Sequence, residues 1–346
     1  MKAFVHVCGA VALCAGSAHS QLMIDPYYSC AYEYSDLGAP AGVPQLLGGL
    51  VFKDGDPDTL LIGGAANGGA GAIYQIAVVR DAESHVIGFS GAGTQFAPAS
   101  YIDGGLCYGP DGVLFYSRYS MNHIGQILPG QTSTARDDDL YALGFSGSVG
   151  AFMLVPPGSP GAGRFKIFPY NSSVWHDATL SPDGNGTFQI SAPTNSIPLG
   201  GGPEGIVYIE AGASLFPNGG VLISEYGSGA VTSYEIDANG DPVPGTRRLF
   251  LTGLSGAEGG TRDPVSGDFL FSTFGGVGRV VVVRGFTPDC DVRANLNRDC
   301  ALNFFDVQLF LQAFAAGDDM GDFNDDGVFN FFDAQAFLAN FAQGCN

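Results

Sequence analysis

Positive charge is what this sequence has least of. Fourteen Lys and Arg stand against 34 Asp and Glu, a formal net charge of −20. A chain so acidic repels phosphate backbones and anionic lipid surfaces, which argues against nucleic acid and such membranes as partners. Beyond the N-terminus no apolar run approaches the roughly 20 residues that span a bilayer. No cysteine pair has CxxC spacing, so zinc-ribbon and dithiol redox sites are not expected. Helical periodicity is missing from Gln21 to Phe286. Charged residues are only 14% and apolar residues 45%, a balance that buries a core and opposes disorder.

The N-terminus reads as a secretory signal over residues 1–20. Lys2 is the basic start, Ala3 to Ala15 an apolar stretch, and Ala18-His19-Ser20 a cleavage site before Gln21. The expected product is secreted or associated with the cell surface or envelope. Cys8 and Cys14 leave with the signal, so Cys30, Cys107, Cys290, Cys300 and Cys345 meet oxidising conditions. Cys290 and Cys345 bracket the C-terminal repeat and are expected to pair, as are Cys30 and Cys107. An odd count leaves one over.

Glycine is abundant, at 53 residues, and it organises the body of the chain. Five segments open on a glycine-flanked entry: Gly48-Gly49-Leu50, Gly104-Gly105-Leu106, Gly150-Ala151-Phe152, Pro203-Glu204-Gly205 and Ala257-Glu258-Gly259. Four then pass a turn such as Pro110-Asp111-Gly112 or Asp263 to Gly267, the third being more divergent, and further short strands follow. A period of roughly 45 to 55 residues with about four strands per unit is what a β-propeller requires. An all-β propeller of five or six blades is therefore expected over residues 21–287, a sixth being hidden in 130–200 if present. A sandwich of similar strands is the alternative. The last unit lacks an outer strand, while Ser29 to Tyr34 lies orphaned before the first, so the two ends are expected to close the ring together.

Candidates for chemistry in the body are few. Glu204 and Glu258 occupy the same entry position, each followed by Gly, and either flank the channel as paired carboxylates or bind neighbouring amides. His123 and His176 read as structural, because His176 and Asp177, as strand neighbours, point to opposite faces. No Gly-x-Ser-x-Gly elbow feeds a helix. The body loosely resembles the NHL and sugar-lactonase propellers, which share the glycine-flanked entry and the Pro-Asp-Gly reversal. That resemblance implies a metal held in the channel by an Asn, an Asp and a Glu. Glu204 and Glu258 match the glutamate, and no Asn or Asp is assigned.

The last segment is one loop-plus-helix unit written twice, 27 positions apart. Oxygen side chains recur at loop positions 1, 3, 5, 9 and 12, with position 7 free to offer its carbonyl, as a hard cation such as Ca²⁺ requires. Both loops run into Asn-Phe-Phe-Asp and an amphipathic helix. Phe304, Val307, Phe310, Leu311 and Phe314 of one are expected to pack on Phe331, Ala334, Phe337, Leu338 and Phe341 of the other. These residues resemble a dockerin, the paired F-hand calcium domain, of the Gly-Cys-ending type found in planctomycetes. The resemblance implies two Ca²⁺ ions in an all-α module over 288–346. Its ligands are Asn295, Asn297, Asp299, Ala301 (carbonyl), Asn303 and Asp306, then Asp322, Asn324, Asp326, Val328 (carbonyl), Asn330 and Asp333. It also implies docking to a cohesin-like or envelope scaffold protein. The second loop, with three carboxylates against two, is expected to bind more tightly. The expected whole is an exported, tethered propeller that binds a glycan or protein ligand. The alternative is a secreted carbohydrate- or lactone-acting hydrolase tethered the same way.

Overall fold

The computed structural model describes residues 21–285, 293–298 and 301–344. Four-stranded antiparallel sheets repeat five times around an axis, making a five-bladed propeller. Blade 1 runs Leu50–Lys53, Asp56–Gly64, Ala72–Arg80 and Val86–Pro98. Blade 2 runs Ile102–Tyr108, Leu114–Arg118, His123–Ile127 and Thr134–Asp139. Blade 3 is Val149–Leu154, Phe165–Pro169, Val174–Ala178 and the short Ile197–Pro198. Residues 130–200 hold no sixth blade. Instead Leu180–Pro182 and Phe188–Ile190 form a separate hairpin inserted before the outer strand of blade 3. Blade 4 comprises Pro203–Ile209, Gly220–Glu225, Ala230–Tyr234 and Arg248–Thr252.

Blade 5 closes the ring as the orphan strand suggested. Ala257–Arg262, Phe269–Thr273 and Val280–Gly285 are completed by Tyr32–Gly38, with Tyr32 opposite Gly285 and Tyr34 opposite Val283. The closing strand starts a few residues later than Ser29. Met23–Ile24 adds a further strand to blade 4, so the N-terminal segment staples two blades at once. The seam between blades 5 and 1 is also ionic. Arg80 donates to both oxygens of Asp263, at 2.5 and 3.0 Å, and His85 Nδ1 lies 2.8 Å from Asp268.

Each blade buries both faces, because alternate residues of every inner strand point to opposite neighbours. In blade 5, Phe271, Val281 and Val283 pack toward blade 4, while Leu270, Val280 and Val282 pack toward blade 1. The remaining interfaces are built likewise, with Phe115 and Phe152 between blades 2 and 3 and Trp175 and Tyr208 between blades 3 and 4. Fully burying one such side chain stabilises the fold by about 1.5–3 kcal/mol, and an isolated blade would leave half of them exposed.

Cys107 is a free thiol buried in the blade 2–3 cluster, and burial pushes it up to about 12. The expected Cys30–Cys107 pairing is therefore not formed. Cys30 lies elsewhere, its Sγ 2.7 Å from the carbonyl oxygen of Arg298. Cys290 and Cys345 lie outside the described residues, so their expected pairing does too.

One buried charge is structural. Lys166 is fully buried between blades 3 and 4 and donates to Asp177, to Asp241 at 2.6 Å and to the Asn239 carbonyl at 2.9 Å. Asp241 also accepts from Trp175 Nε1 at 2.8 Å and from Asn195 at 2.9 Å. Lys166→Met removes the cation, leaving the buried Asp241 with neutral donors only and Asp177 with Arg164 alone as its cation. It is expected to cost about 3–5 kcal/mol, read as a drop in the urea midpoint at unchanged slope.

The C-terminal segment holds two helices, Phe304–Ala316 and Phe331–Phe341. Their core is a stack of Phe310 on Phe337, with ring centroids 4.3 Å apart, closed by Phe323 edge-on. Val307, Phe314, Ala334 and Phe341 pack around it. Phe304, Leu311, Phe331 and Leu338 do not join this core, contrary to expectation, and stand exposed. At 100° per residue, Phe304 and Leu311 point away from the line through Phe310 and Phe314. Among the described residues no helix is long and apolar enough to cross a membrane.

Candidate metal centre in the propeller channel

In four of the five blades the inner strand starts irregularly, and that irregularity builds the site. In blades 2 to 5 the pairing between inner and second strand slips just inside the first pair, at 102/106, 149/151, 203/205 and 257/260. A bulge leaves its extra residue unpaired and re-aims its side chain. The residues at the slip are Asp103, Gly150, Glu204 and Glu258, and blade 1 has Gly48 at the corresponding place.

Three carboxylates from blades 2, 4 and 5 thus converge on the axis. One oxygen of each of Asp103, Glu204 and Glu258 lies within 4.8 Å of the others. They are 0%, 4% and 1% exposed, so water does not screen them. Both oxygens of Asp103, both of Glu258 and Oε2 of Glu204 lack a hydrogen bond of good geometry. The Asn67 amide, following the second strand of blade 1, reaches Asp103, and its own buried Oδ1 lacks a partner. Among the described residues this is the one set of three potential metal-ligating side chains drawn so close.

Two glycines show how tightly the ring is drawn. A Cβ on Gly104 would lie 2.0 Å from the Glu204 carbonyl oxygen, across the axis. One on Gly150 would stand 2.5 Å from Glu204 Oε2, within the cluster itself. Inner strands of non-adjacent blades therefore touch at this level of the channel.

Burial sets the electrostatics. It raises the Asp103 carboxyl to about 7 against the help of neighbouring hydrogen-bond donors. Glu204 and Glu258 are raised well above the usual carboxylate range, first by burial and then by the charge of Asp103. Three acids that cannot all ionise alone, with open lone pairs, form a site missing positive charge.

Both channel residues expected from the sequence lie in this cluster: Glu204 has a backbone hydrogen bond with Gly104 and leaves Oε2 without a partner, whereas both oxygens of Glu258 lack one. Asp103 was missed. Its signal is Asp103-Gly104-Gly105, which repeats Glu258-Gly259-Gly260 once the second unit is started one residue earlier. His176 and Asp177 diverge as strand neighbours should, His176 Nδ1 lying 2.7 Å from the Asn195 carbonyl oxygen and Asp177 meeting Lys166.

The C-terminal loops have their own geometry. Asn303 and Asn330 cap the two helices with the same backbone angles (φ −150°, ψ −172°), each in a capping box with Asp306 or Asp333. Asp306 accepts the amides of Asn297 and Asn303 at 3.2 and 2.9 Å, and Asp333 those of Asn324 and Asn330 at 3.2 and 2.8 Å. In the second loop Asp322 accepts from the amides of Asp326 and Gly327, and the Val328 carbonyl accepts from Asn330 Nδ2. In the first, Ala301 does the same for Asn303. Asn295 is buried, and Asp299 lies outside the described residues.

No family model and no curated protein matches this chain. Solved structures resemble it in fold. The pyranose dehydrogenase PQQ domain from Coprinopsis cinerea aligns at TM-score 0.44 and 10% identity, covering 76% of this chain and 97% of that one. An auxiliary nutrient binding protein from Bacteroides thetaiotaomicron aligns at 0.40 and 9%, covering 69% and 59%. A streptogramin B lyase aligns at 0.38 and 11%, covering 74% and 98%. Likeness this distant carries nothing about chemistry. The blade count rests on the chain's own sheet order.

Proposed function

We propose that this protein is a cation-centred propeller that binds a small ligand in its axial cup and is tethered through its C-terminal segment. The observation that carries the reading is the trio Asp103, Glu204 and Glu258: buried, crowded and short of partners. All-oxygen donors suit a hard divalent ion such as Ca²⁺, Mg²⁺ or Mn²⁺ rather than zinc. Two oxygens on one Ca²⁺ stand at most about 5 Å apart, which matches the observed spread. Asn67 supplies a fourth oxygen.

The tether reading rests on duplicated side chains. Phe304, Phe305 and Leu311 are 72%, 62% and 56% exposed, and their counterparts Phe331, Phe332 and Leu338 are 74%, 63% and 58%. Such a repeated apolar face suits docking to a cohesin-like or envelope scaffold protein after export. Two Ca²⁺ ions in the loops would hold the helices in place, the second more tightly. Its three carboxylates, Asp322, Asp326 and Asp333, exceed the first loop's two.

A hydrolase acting on a lactone or carbohydrate is the second reading. Asn67, Asp103 and the two glutamates together are the Asn, Asp and Glu types that the sugar-lactonase resemblance implied. Elemental analysis of the full exported chain tests the scheme, with three divalent ions per chain expected. Asp333→Asn should remove one and lower the helical signal in circular dichroism, leaving the channel ion. Asp306→Asn should have the smaller effect. Two ions or fewer, all lost with the loop substitutions, would sink the channel assignment.

A further inference from the structure

One short turn from the carboxylates, the second strands end in a ring of aromatic side chains. Tyr119, Tyr170, Tyr226 and Phe274 come from blades 2, 3, 4 and 5. Each amide donates to the carbonyl two residues before the bulge of its own blade: Tyr101, Ser148, Gly202 and Gly256. The shared bond fixes four rings at equivalent points around the axis. Consecutive centroids are 5.8, 6.0 and 5.9 Å apart and the contacts are edge-to-face. Blade 1 makes the same bond from Ala66 to Leu46, but offers only a methyl group. Four half-buried rings thus form the collar, with the buried Ala66 at the fifth position.

Its charge environment is one-sided. The phenols of Tyr170 and Tyr226 are raised by burial and then by carboxylates of the cluster, Glu204 leading for one and Glu258 for the other. Among the described residues, the largest influences on both rings and on the three acids are burial, one another's carboxylates and neighbouring phenols. With a divalent ion seated, the three carboxylates still leave the floor one negative charge in excess. At four successive corners of a regular pentagon, centroids with these spacings stand about 5 Å from its centre, within the roughly 6 Å over which an aromatic ring attracts a cation. An anionic ligand would meet negative charge below and ring π-density around it.

We infer that the collar of Tyr119, Tyr170, Tyr226 and Phe274 binds the ammonium group of a small organic cation. This deepens the cation-centred reading of the channel and rests on it for the charge of the floor. The four rings supply the cation–π contacts and the carboxylates the long-range attraction, so a neutral group of the same shape gains only apolar contact.

The test is calorimetric titration of the full-length chain, loaded with Ca²⁺ or Mn²⁺. The probes are choline and its uncharged carbon isostere 3,3-dimethylbutan-1-ol, with divalent-ion content measured on every sample. One choline per chain is expected, with the isostere at least about tenfold weaker. Tyr170→Leu and Tyr226→Leu should each weaken choline about tenfold while keeping the channel ion, and Tyr226→Phe, which keeps the ring, should retain affinity. Equal binding of the isostere, no loss in the leucine variants, or no choline binding to an ion-loaded chain overturns the inference. So does competition between choline and the divalent ion, which would place the ammonium group among the carboxylates. A chain that binds choline through the collar but holds no channel ion defeats the metal reading alone.

Discussion

Glu204→Gln is expected to weaken the channel ion by at least about 100-fold and to move stability in opposite directions with and without metal. The substitution keeps shape and removes one charge from a set of three within 4.8 Å. With the ion bound, a charged ligand oxygen is lost, so the variant melts lower than the parent. Without it, a buried acid crowded by Asp103 and Glu258 becomes a neutral amide that donates to them, so the stripped variant melts higher at pH 8. Thermal melts of both proteins, stripped and reloaded, give all four values. A purely structural glutamate predicts a loss in both states, and that outcome would end the metal assignment. Glu258→Gln should behave the same way, because it holds the equivalent bulge of the next blade.

The second large effect is on pH dependence. In the metal-free fold the Asp103 carboxyl is raised to about 7, whereas an unfolded aspartate titrates near about 4. Across that window the folded state holds more protons than the unfolded one. Stability of the stripped chain therefore falls as pH rises from about 4 through about 7, by roughly 1.4 kcal/mol per pH unit for each group so perturbed. Glu204 and Glu258 act with the same sign. The ion requires ionised carboxylates, so its stabilising effect should be small at pH 5 and large at pH 8. Asp183 titrates outside this window, its carboxyl being lowered to about 2 by the Thr187 hydroxyl; its contribution is lost only under more acidic conditions. Melting temperatures over pH 5–8, with chelator and with added ion, should diverge as pH rises. Parallel curves would show that no cation is bound by these acids.

Such effects depend on features that the linear chain revealed unevenly. The repeat of glycine-flanked entries and Asp- or Pro-rich turns carried the propeller, because each blade needs the same turn chemistry and the same alternation of buried residues. The missing outer strand of the last unit pointed to closure by the N-terminus, since an unpaired strand edge must find a partner. Other readings failed for identifiable reasons. The 130–200 stretch is long enough for a sixth blade, but a hairpin beside blade 3 uses part of it, and strand propensity does not say which sheet a strand joins. Cys107 and Cys30 share a compartment without sharing a neighbourhood, since Cys107 faces the blade 2–3 core.

The sequence by itself determined the repeating β architecture, the closing strand, the acid–glycine signature at Glu204 and Glu258, and the duplicated C-terminal unit. These are local properties: turn residues, periodicity and spacing, each written within a few positions. Only the tertiary structure decided the number of blades and brought Asn67, Asp103, Glu204 and Glu258 together, residues up to 191 positions apart. It also placed Tyr119, Tyr170, Tyr226 and Phe274 in one collar around them. The physical reason is closure of the ring: only when the four bulged strands and the inner strand of blade 1 meet on one axis do the residues at the bulges face each other, with water driven out from between them.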